Sequence, residues 1–440
     1  MLQIAPHYIM NQSKTFDFRQ VPPAINLAGE LPAPNHKKIE LGSGVTLHLL
    51  PEEETIGFRL DLYFTGGIKD NRLPTTANAT FSLMTEGTLD KSSEQIYDSL
   101  DFYGSFIEKD VAYNYSKFTV FGTEPNFKDI FILIKDIITN ASFNEKEIDL
   151  YISRQKQRLL VDLEKPGTLA KRAFAKFFWG NNHPLGNLSE IEDYDNYLNR
   201  VSLVDFHDKL IKRGLHQIVL SGCCSDKIIN TIKEINFYND AKASEYGDIL
   251  SNHIPQKGLT FIQKDHSIQA AIYMGTELIN RKHPDFANMQ VVSTLLGGYF
   301  GSRLMKNIRE EKGYTYGIGC GLQSVADKGV FSIRTEVLND KWEDALACID
   351  YEIEKLKTET VPQDELQTVK NYMCGNMARL FDGSFSQADR LQMLVNENLD
   401  WDYFTNYLDA IKNISVVDVQ HWANKYLNIG SFTTIVVGSK

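Results

Sequence analysis

One stretch of the sequence, LLGGYFGSRLMKNIREEKGYTYGIG from Leu295 to Gly319, places polar side chains on both sides of a bend. Arg309 lies in the last turn of a predicted helix, and Tyr314, Tyr316 and Ile318 alternate along the following strand, which predicts one shared face. The guanidinium of Arg309 offers planar donors to peptide carbonyls, and the hydroxyl of Tyr316 can donate to an oxyanion. The spacing therefore allows a peptide-binding site at this bend.

Two other interpretations of the stretch stay open from spacing alone. GGYFGS, beginning at Gly297, lacks both the glycine spacing of the nucleotide-binding fingerprints and the lysine of a P-loop, which disfavours a phosphate site. The plainer interpretation is a tight turn, a solvated helix and a glycine C-cap at Gly313. Arg303, at the start of the helix, is interpreted as a structural residue.

The stretch resembles a segment of the pitrilysin, or insulinase, family of zinc peptidases, to which mitochondrial processing peptidase also belongs. The shared features are the glycine-rich turn, the SRL helix start and the pattern RE-x-(K/R)-G-x-x-Y. The resemblance continues through GFRLDLYFTGGIKDN, EGT at Glu86 to Thr88 and HPLG at His183 to Gly186. In that family an arginine and a tyrosine seven residues apart assist catalysis, which implies this role for Arg309 and Tyr316.

The resemblance also implies a zinc motif, which this sequence lacks. The family binds zinc through H-x-x-E-H just before EGT; the histidines coordinate the metal and the glutamate activates water. The corresponding positions hold Asn78, Phe81 and Ser82. The side chains of Asn78 and Ser82 are poor zinc ligands beside imidazole, and Phe81 cannot accept a proton. We therefore expect no metal and no cofactor in this chain.

A third metal ligand, a glutamate in the family, would lie on a later helix between Glu145 and Glu164. The inward-facing part of that helix reads QKQRLL, and Asp162 and Glu164 are displaced from the expected turn. None of the ten histidines lies three to five residues from another, as metal-binding pairs on one helix do. G-x-S-x-G, the motif of serine hydrolases, is also absent.

The elements that would position these residues occur twice along the chain. GVTLHLLPEE at Gly44 resembles GLTFIQKDH at Gly258, and three further pairs follow in the same order, all at offsets of 210 to 216 residues. Those pairs are LPTTAN with HPDFAN, NYLNRVSLVD with NYLDAIKNISVVD, and HQIVLSG with FTTIVVG. The pattern predicts an α+β protein of two tandem homologous domains, each a mainly antiparallel sheet covered on one face by helices.

The predicted boundaries are an N-terminal extension (1–37), a first peptidase-like domain with the degenerate metal motif (38–235), a linker (236–256) and a second peptidase-like domain with the Arg309 and Tyr316 pair (257–440). One helix in the first domain is predicted in detail. Asn144 is its N-cap, Glu147 completes a capping box, and Pro166 ends it.

Composition limits the partners and the compartment. The 440 residues include 46 Lys and Arg against 57 Asp and Glu, so the net charge of −11 disfavours nucleic acid. The five cysteines include no C-x-x-C pair and are typical of reduced thiols. We see neither a signal-peptide pattern nor an apolar run of membrane-spanning length, and we expect a cytoplasmic protein without membrane contact.

These features predict a non-catalytic subunit of a heteromeric zinc metallopeptidase. A partner subunit would carry H-x-x-E-H and the zinc, while this chain would close the peptide chamber and supply Arg309 and Tyr316 in trans. A peptide-binding or structural homodimer without hydrolytic activity is the alternative. An enzyme active alone would need a metal site that the sequence does not contain. The substrate, the partner's identity and the strand that grips the peptide stay open.

Overall fold

A computed structural model describes residues 31–236 and 253–440, apart from 32, 71–73 and 213. The strands of the first sheet are β1 (Lys37–Gly42), β2 (Val45–Pro51), β3 (Gly57–Thr65), β4 (Phe106–Val111), β5 (Tyr115–Thr123) and β6 (Leu215–Gly222). Those of the second sheet are β7 (Gly258–Gln263), β8 (Gln269–Leu278), β9 (Thr315–Val325), β10 (Lys328–Leu338) and β11 (Thr433–Gly438).

Helices follow the strands in both parts of the chain. The first part contains α1 (Pro74–Leu83), α2 (Ser93–Phe102), α3 (Phe127–Thr139), α4 (Glu145–Leu163), α5 (Pro166–Trp179), α6 (Ile191–Tyr197), α7 (Arg200–Phe206) and α8 (Asp226–Ile235). The second contains α9 (Phe286–Ser293), α10 (Trp342–Thr358), α11 (Gln363–Arg379), α12 (Gly383–Glu397), α13 (Asp402–Asn413) and α14 (Val416–Tyr426). None of the helices within the described ranges has the length and apolarity needed to cross a membrane.

Both sheets are mainly antiparallel and share one topology. The strand order is β1-β2-β6-β3-β5-β4 in the first and β7-β11-β8-β10-β9 in the second. The neighbours β2 and β6 run parallel, as do their counterparts β7 and β11, and the other pairs are antiparallel. Apart from β1, each strand has a counterpart at the same place, and the sequences repeated at Gly44 and Gly258 form β2 and β7. The predicted fold class is confirmed.

The helices of each half cover one face of that half's own sheet. Alternate residues of β3 point into the first core, where Phe58 contacts Phe127 of α3 and Phe64 contacts Phe81 of α1. In the second half, Phe331 of β10 shares a buried cluster with residues of α9, α10 and α11. Removing these aromatic and aliphatic side chains from water is the main favourable contribution to each core.

The opposite face of each sheet is covered by a helix from the other half. Helix α12 lies on β2 and β6 of the first sheet, and α5 lies on β8 and β11 of the second. The first contact buries Leu50, Tyr63, Val219, Ala388 and Leu391. In the second, the rings of Phe174 and Tyr273 stack with centroids 4.3 Å apart. The two halves therefore exchange helices, and neither sheet is fully covered by its own half.

A buried ionic network reinforces the contact of α12 with the first sheet. Arg59 of β3 donates from Nη2 to Asp389 Oδ1 at 2.6 Å and from Nη1 to the Phe385 carbonyl at 2.9 Å. Its Nε lies 3.0 Å from Oδ2 of Asp61, which is fully buried. A buried carboxylate is costly without a cation, so Arg59 holds Asp61 and α12 in place together.

Helix α4 matches its prediction at the start and differs in two details. Asn144 is the N-cap, as predicted, and its side chain accepts a hydrogen bond from the Lys146 N–H at 3.0 Å. The predicted capping box with Glu147 is wrong, because the cap bonds to the second residue of the helix rather than the third. Pro166 begins α5, where a residue without an N–H is tolerated.

Most of the predicted linker and of the N-terminal extension lies outside the described residues, so the three boundaries between the four predicted segments stay predictions.

Candidate functional site

Two π-helical turns lead to Arg309. The first, Thr294–Gly298, approaches β9 so closely that a Cβ on Gly297 would lie 2.8 Å from Cys320 Sγ. The second, Met305–Glu311, contains Arg309. Its hydrogen bonds join residues five apart instead of four. One of them runs from the Lys312 N–H to the Asn307 carbonyl at 3.0 Å. π-Helical turns are rare and are frequent at functional sites.

The guanidinium of Arg309 lies over an aromatic ring. Its Cζ is 4.6 Å from the ring centroid of Phe300, which is 62% exposed. A cation above a ring face is attracted by the quadrupole of the ring, so Phe300 limits the orientations of the guanidinium. No hydrogen bond or ion pair with another described residue occupies its donors, which leaves them available to a ligand. The sequence signalled Phe300 only as an aromatic residue inside the glycine-rich turn.

A bulge in β9 turns Tyr316 outward. Thr335 of β10 pairs with Ile318 and Val337 pairs with Thr315, so Tyr316 and Gly317 together face one residue of β10. The hydroxyl of Thr335 donates to the Gly317 carbonyl at 3.0 Å and supports the bulge. Ile318 is buried whereas Tyr316 is 89% exposed. The expectation that Tyr314, Tyr316 and Ile318 share one face is therefore wrong, because one extra residue breaks the period of two.

Arg309 and Tyr316 lie on the two sides of the predicted bend. Gly313 has a φ of +66°, a left-handed conformation that glycine adopts without strain, as predicted for the end of this helix. No hydrogen bond or ring contact among the described residues joins Arg309 to Tyr316. Neither side chain thus forms a hydrogen bond with another described residue, and the two are not in contact with each other.

Arg303 has the structural role that the sequence predicts. Its Nε and Nη2 donate to the two carboxylate oxygens of Glu365 on α11, each at 2.9 Å, and its side chain is 10% exposed. This bidentate pair anchors the start of the helical segment that carries Arg309.

The three positions of the missing zinc motif do not fit a zinc ion. Phe81 is 1% exposed, and its ring packs against Phe64 and Phe118 with centroid distances of 6.0 and 5.4 Å. Asn78 is exposed on α1. The side chain of Ser82 lies next to Tyr151 of α4, so two neutral groups meet where the helices approach each other. Burial raises the pKa of Tyr151 to about 12, so the phenol is neutral at physiological pH.

A lysine that the sequence did not single out contributes a positive charge beside Ser82. Lys109 of β4 donates from Nζ to the Ser82 carbonyl at 3.1 Å and to Thr85 Oγ1 at 2.7 Å. Burial lowers the pKa of Lys109. While this lysine is protonated it repels a dication, which adds to the poor chemistry of the surrounding side chains. Lys109 and Tyr151 come from elements distant in sequence from α1, so no local pattern could have identified them.

The displaced acids of α4 are engaged in ion pairs. Asp162 lies 2.7 Å from Lys165 Nζ, and Glu164 lies 3.0 Å from Lys264 Nζ. Within the described ranges no three His, Cys, Asp or Glu side chains form a group able to hold a metal ion.

The hairpin of β4 and β5 forms one edge of the first sheet. Strand β4 is the last strand of the first sheet, and no other described strand pairs with its outer edge. An open edge can accept an extended peptide as an added strand.

Similarity to known proteins extends over most of the chain. Residues 197–373, which include Arg309 and Tyr316, match the family described as "Peptidase M16 inactive domain". A Rickettsia felis protein named "Uncharacterized zinc protease" is 23% identical over 419 residues, covering 92% of this chain and 97% of that protein. A Helicobacter pylori protein named "Non-peptidase homolog YmxG" is 22% identical over 407 residues, covering 89% of this chain and 90% of that protein.

The fold also matches a solved structure. The peptidase M16 inactive domain from Pseudomonas fluorescens has a TM-score of 0.82 at 21% identity, covering 92% of this chain and 98% of that chain. At this identity the structural likeness establishes the fold alone.

Proposed function

We propose that this chain is a non-catalytic subunit of a two-chain zinc peptidase. The chain is similar to the M16 peptidases and lacks the zinc motif H-x-x-E-H. The partner would carry H-x-x-E-H with its zinc and would be a member of the same family. This chain would close the peptide chamber and supply Arg309 and Tyr316 in trans. The name of the Helicobacter pylori relative, a non-peptidase homolog, supports the first part of the proposal.

The contrast between the two halves carries the proposal. In the second half Arg309 and Tyr316 donate no side-chain hydrogen bond to another described residue, and Tyr316 is 89% exposed. In the first half Phe81 is buried in the core and Ser82 lies next to the neutral phenol of Tyr151. Selection for packing alone gives no reason to keep an arginine on an exposed ring and a tyrosine on a bulge. A peptide substrate that is cleaved with the help of a zinc ion on another chain would give a reason to keep both residues.

Each residue has a distinct part in the proposed reaction. The hydroxyl of Tyr316 donates a hydrogen bond to the scissile carbonyl oxygen as negative charge develops on it. The guanidinium of Arg309 donates to a neighbouring substrate carbonyl and positions the peptide. The partner's zinc and glutamate supply the activated water.

The first test removes the hydroxyl of Tyr316. With the catalytic partner in saturating amount, Tyr316→Phe should lower kcat by about 10²- to 10³-fold, the usual cost of one oxyanion donor. Tyr197→Phe is the matched control, because Tyr197 is also an exposed tyrosine, and it should leave kcat unchanged. Equal cleavage rates for the Tyr316→Phe and wild-type proteins would contradict the role of Tyr316.

A homodimer that binds peptide without cleaving it is the second candidate, and the open edge of β4 favours it. Affinity purification of the tagged chain from its native cells separates the two. A stoichiometric H-x-x-E-H protein in the eluate supports the two-chain peptidase, and a second copy of this chain as the sole stoichiometric protein supports the homodimer. Tightly held stoichiometric zinc in the purified chain would contradict both.

A further inference from the structure

A cavity of about 650 Å³ lies where the two halves of the chain meet. Its walls are the turn between β4 and β5, the turn between β9 and β10, and one side of α12. Neither Arg309 nor Tyr316 lines it, and neither do the positions of the missing zinc motif. The cavity is therefore a separate feature, within the 300–1,000 Å³ range of small-molecule pockets.

One guanidinium in the wall has no counter-ion. Arg390 of α12 forms no ion pair with a described residue, and its Nε is buried without a hydrogen-bond partner. The adjacent carboxylate of Asp389 is held by Arg59 at 2.6 Å. The nearby Arg281 is paired with Glu397 at 3.4 Å. Burial lowers the pKa of Arg390, and the charge of the adjacent Asp389 opposes this effect only in part, while the charge of Arg281 adds to it.

Carboxylates occur in the same cavity on the exposed turns. Asp110, at the end of β4, and Asp327, in the turn between β9 and β10, are both exposed cavity-lining residues. Neither side chain forms an ion pair with a residue in the described part of the chain. The lining thus includes a cation on α12 and two anions on the turns that form no ion pair with described residues. The other charged side chains in the lining are Lys69, Arg281, Asp389 and Glu397.

Neutral amides complete the lining. Asn114 and Asn396 line the cavity, and each side-chain amide has both donor and acceptor atoms. The amide of Gln392, which also lines it, donates to the Tyr115 hydroxyl and accepts from Lys117 Nζ at 3.3 Å. Amide groups of this kind match the N–H and C=O of a peptide backbone. An inorganic anion would use Arg390 but would leave the amides and the two aspartates without a role.

We infer that this cavity binds a short peptide with free ends, its terminal carboxylate on Arg390 and its terminal ammonium toward Asp110 and Asp327. A single amino acid has the same two charges but would leave most of the volume empty. The inference needs no partner subunit and does not depend on the roles of Arg309 and Tyr316.

Isothermal titration calorimetry of the wild-type chain with tetra-alanine tests the inference from the ligand's side. Tetra-alanine with free ends should bind, and its C-terminal amide should bind at least about tenfold more weakly, because it cannot form a charge-assisted bond with Arg390. N-Acetyl-tetra-alanine should also bind more weakly, by about threefold, since Asp110 and Asp327 are exposed to solvent. No heat of binding at millimolar peptide, or equal affinity for the free and amidated peptides, would overturn it.

Variants of the chain test the same contact from the protein's side. Arg390→Gln should weaken tetra-alanine binding as much as amidation does, and it should bind the free and amidated peptides equally. Arg154→Gln, on the exposed side of α4, is the matched control and should bind like the wild type. A thermal unfolding transition close to that of the wild type would confirm that Arg390→Gln is folded. Unchanged affinity in this variant would overturn the inference, whatever the outcome of the cleavage assays with a partner.

Discussion

The first half lacks the two histidines of the zinc motif, and three further side chains make the same place unfavourable for a zinc ion. Phe81 belongs to the core, the neutral phenol of Tyr151 lies next to Ser82, and Lys109 adds a positive charge at the end of α1. Replacing Asn78 and Ser82 by histidine would change only the ligands. Because the surrounding side chains also disfavour a cation, metal binding would require changes on α1, α4 and β4 together.

Restoring the catalytic glutamate should damage the fold. Phe81→Glu buries a carboxylate among Phe64 and Phe118 and removes an aromatic contact, so we expect the free energy of unfolding to fall by more than about 4 kcal/mol. Phe81→Leu is the matched control and should cost about 1–1.5 kcal/mol. Urea denaturation measures both. A loss below about 2 kcal/mol for Phe81→Glu would mean that this position opens to water.

Phe300 should affect the reaction through Arg309. The cation–π contact is worth about 0.5–1 kcal/mol at an exposed site, so Phe300→Leu should lower kcat/KM of the proposed two-chain peptidase about two- to fivefold. The double variant Phe300→Leu with Arg309→Gln should be no slower than Arg309→Gln alone. Phe102→Leu, at a phenylalanine that is 83% exposed, should have no effect. Additive losses in the double variant would contradict the positioning role.

The residues that could be predicted from the sequence are those with a local pattern. Arg309 and Tyr316 stand seven apart in one recognisable segment, and Asn78, Phe81 and Ser82 stand at fixed distances from EGT. Lys109 and Tyr151 could not be found in this way, because only the folded chain brings β4 and α4 to α1. Arg390 could not be identified from the sequence either. Its importance depends on the fact that the neighbouring Asp389 is already paired with Arg59.

At the scale of single elements, β9 has the least predictable geometry. Alternation in YTYGIG predicts a regular strand, yet two residues of β9 face one residue of β10. Bulges depend on the partner strand and on groups such as Thr335, which a one-strand pattern does not include. The helix end at Gly313 was predictable, because a left-handed conformation strongly favours one residue type.

A histidine pair ties the first strand to the start of α13. Trp401 donates from Nε1 to His36 Nδ1 at 3.1 Å, so His36 carries its proton on Nε2, which lies 2.9 Å from Nδ1 of His48. Burial lowers the pKa of both rings to about 4, and the charge of Lys38 adds to this effect. A proton on His48 Nδ1 would place two N–H groups against each other and break the chain of hydrogen bonds.

The pair predicts a loss of stability in mild acid. An unfolded histidine binds its proton near pH 6.5 and these two only near pH 4, so the free energy of unfolding should fall as pH decreases from 6.5 to 4. His48→Asn keeps an acceptor for His36 without titrating, and it should lose less stability than the wild type between pH 7 and pH 5. Urea denaturation at the two pH values measures this. The exposed His421→Asn should behave like the wild type, and an equal loss in all three proteins would refute the assignment.

At the scale of the whole molecule, the repeat was predictable and the exchange of helices was not. Similar sequences at Gly44 and Gly258 predict two similar sheets, and both are present. Apolar residues on α5 and α12 indicate that these helices are buried, but periodicity does not identify the sheet that buries them. That assignment follows from long-range contacts such as Phe174 with Tyr273 and Arg59 with Asp389.

The exchange predicts that neither half folds alone. A fragment 1–236 should leave Leu50, Tyr63 and Val219 uncovered, and a fragment 253–440 should leave Ala271, Ile435 and Val437 uncovered. Each fragment expressed separately should aggregate or unfold without a cooperative transition, whereas the two expressed together should form a one-to-one complex. Size-exclusion chromatography and thermal unfolding followed by circular dichroism measure both outcomes. A fragment that unfolds cooperatively as a monomer would contradict the prediction.

The exchanged helices also set the order of events on the ribosome. The first sheet is complete in sequence at Gly222, but the helix that covers its outer face ends at Glu397, about 175 residues later. At a synthesis rate of about 5–20 residues per second, Tyr63 and Val219 of the nascent sheet stay exposed to water for roughly 10–35 s. The apolar outer face of the first sheet therefore stays without its covering helix until Glu397 has been synthesised.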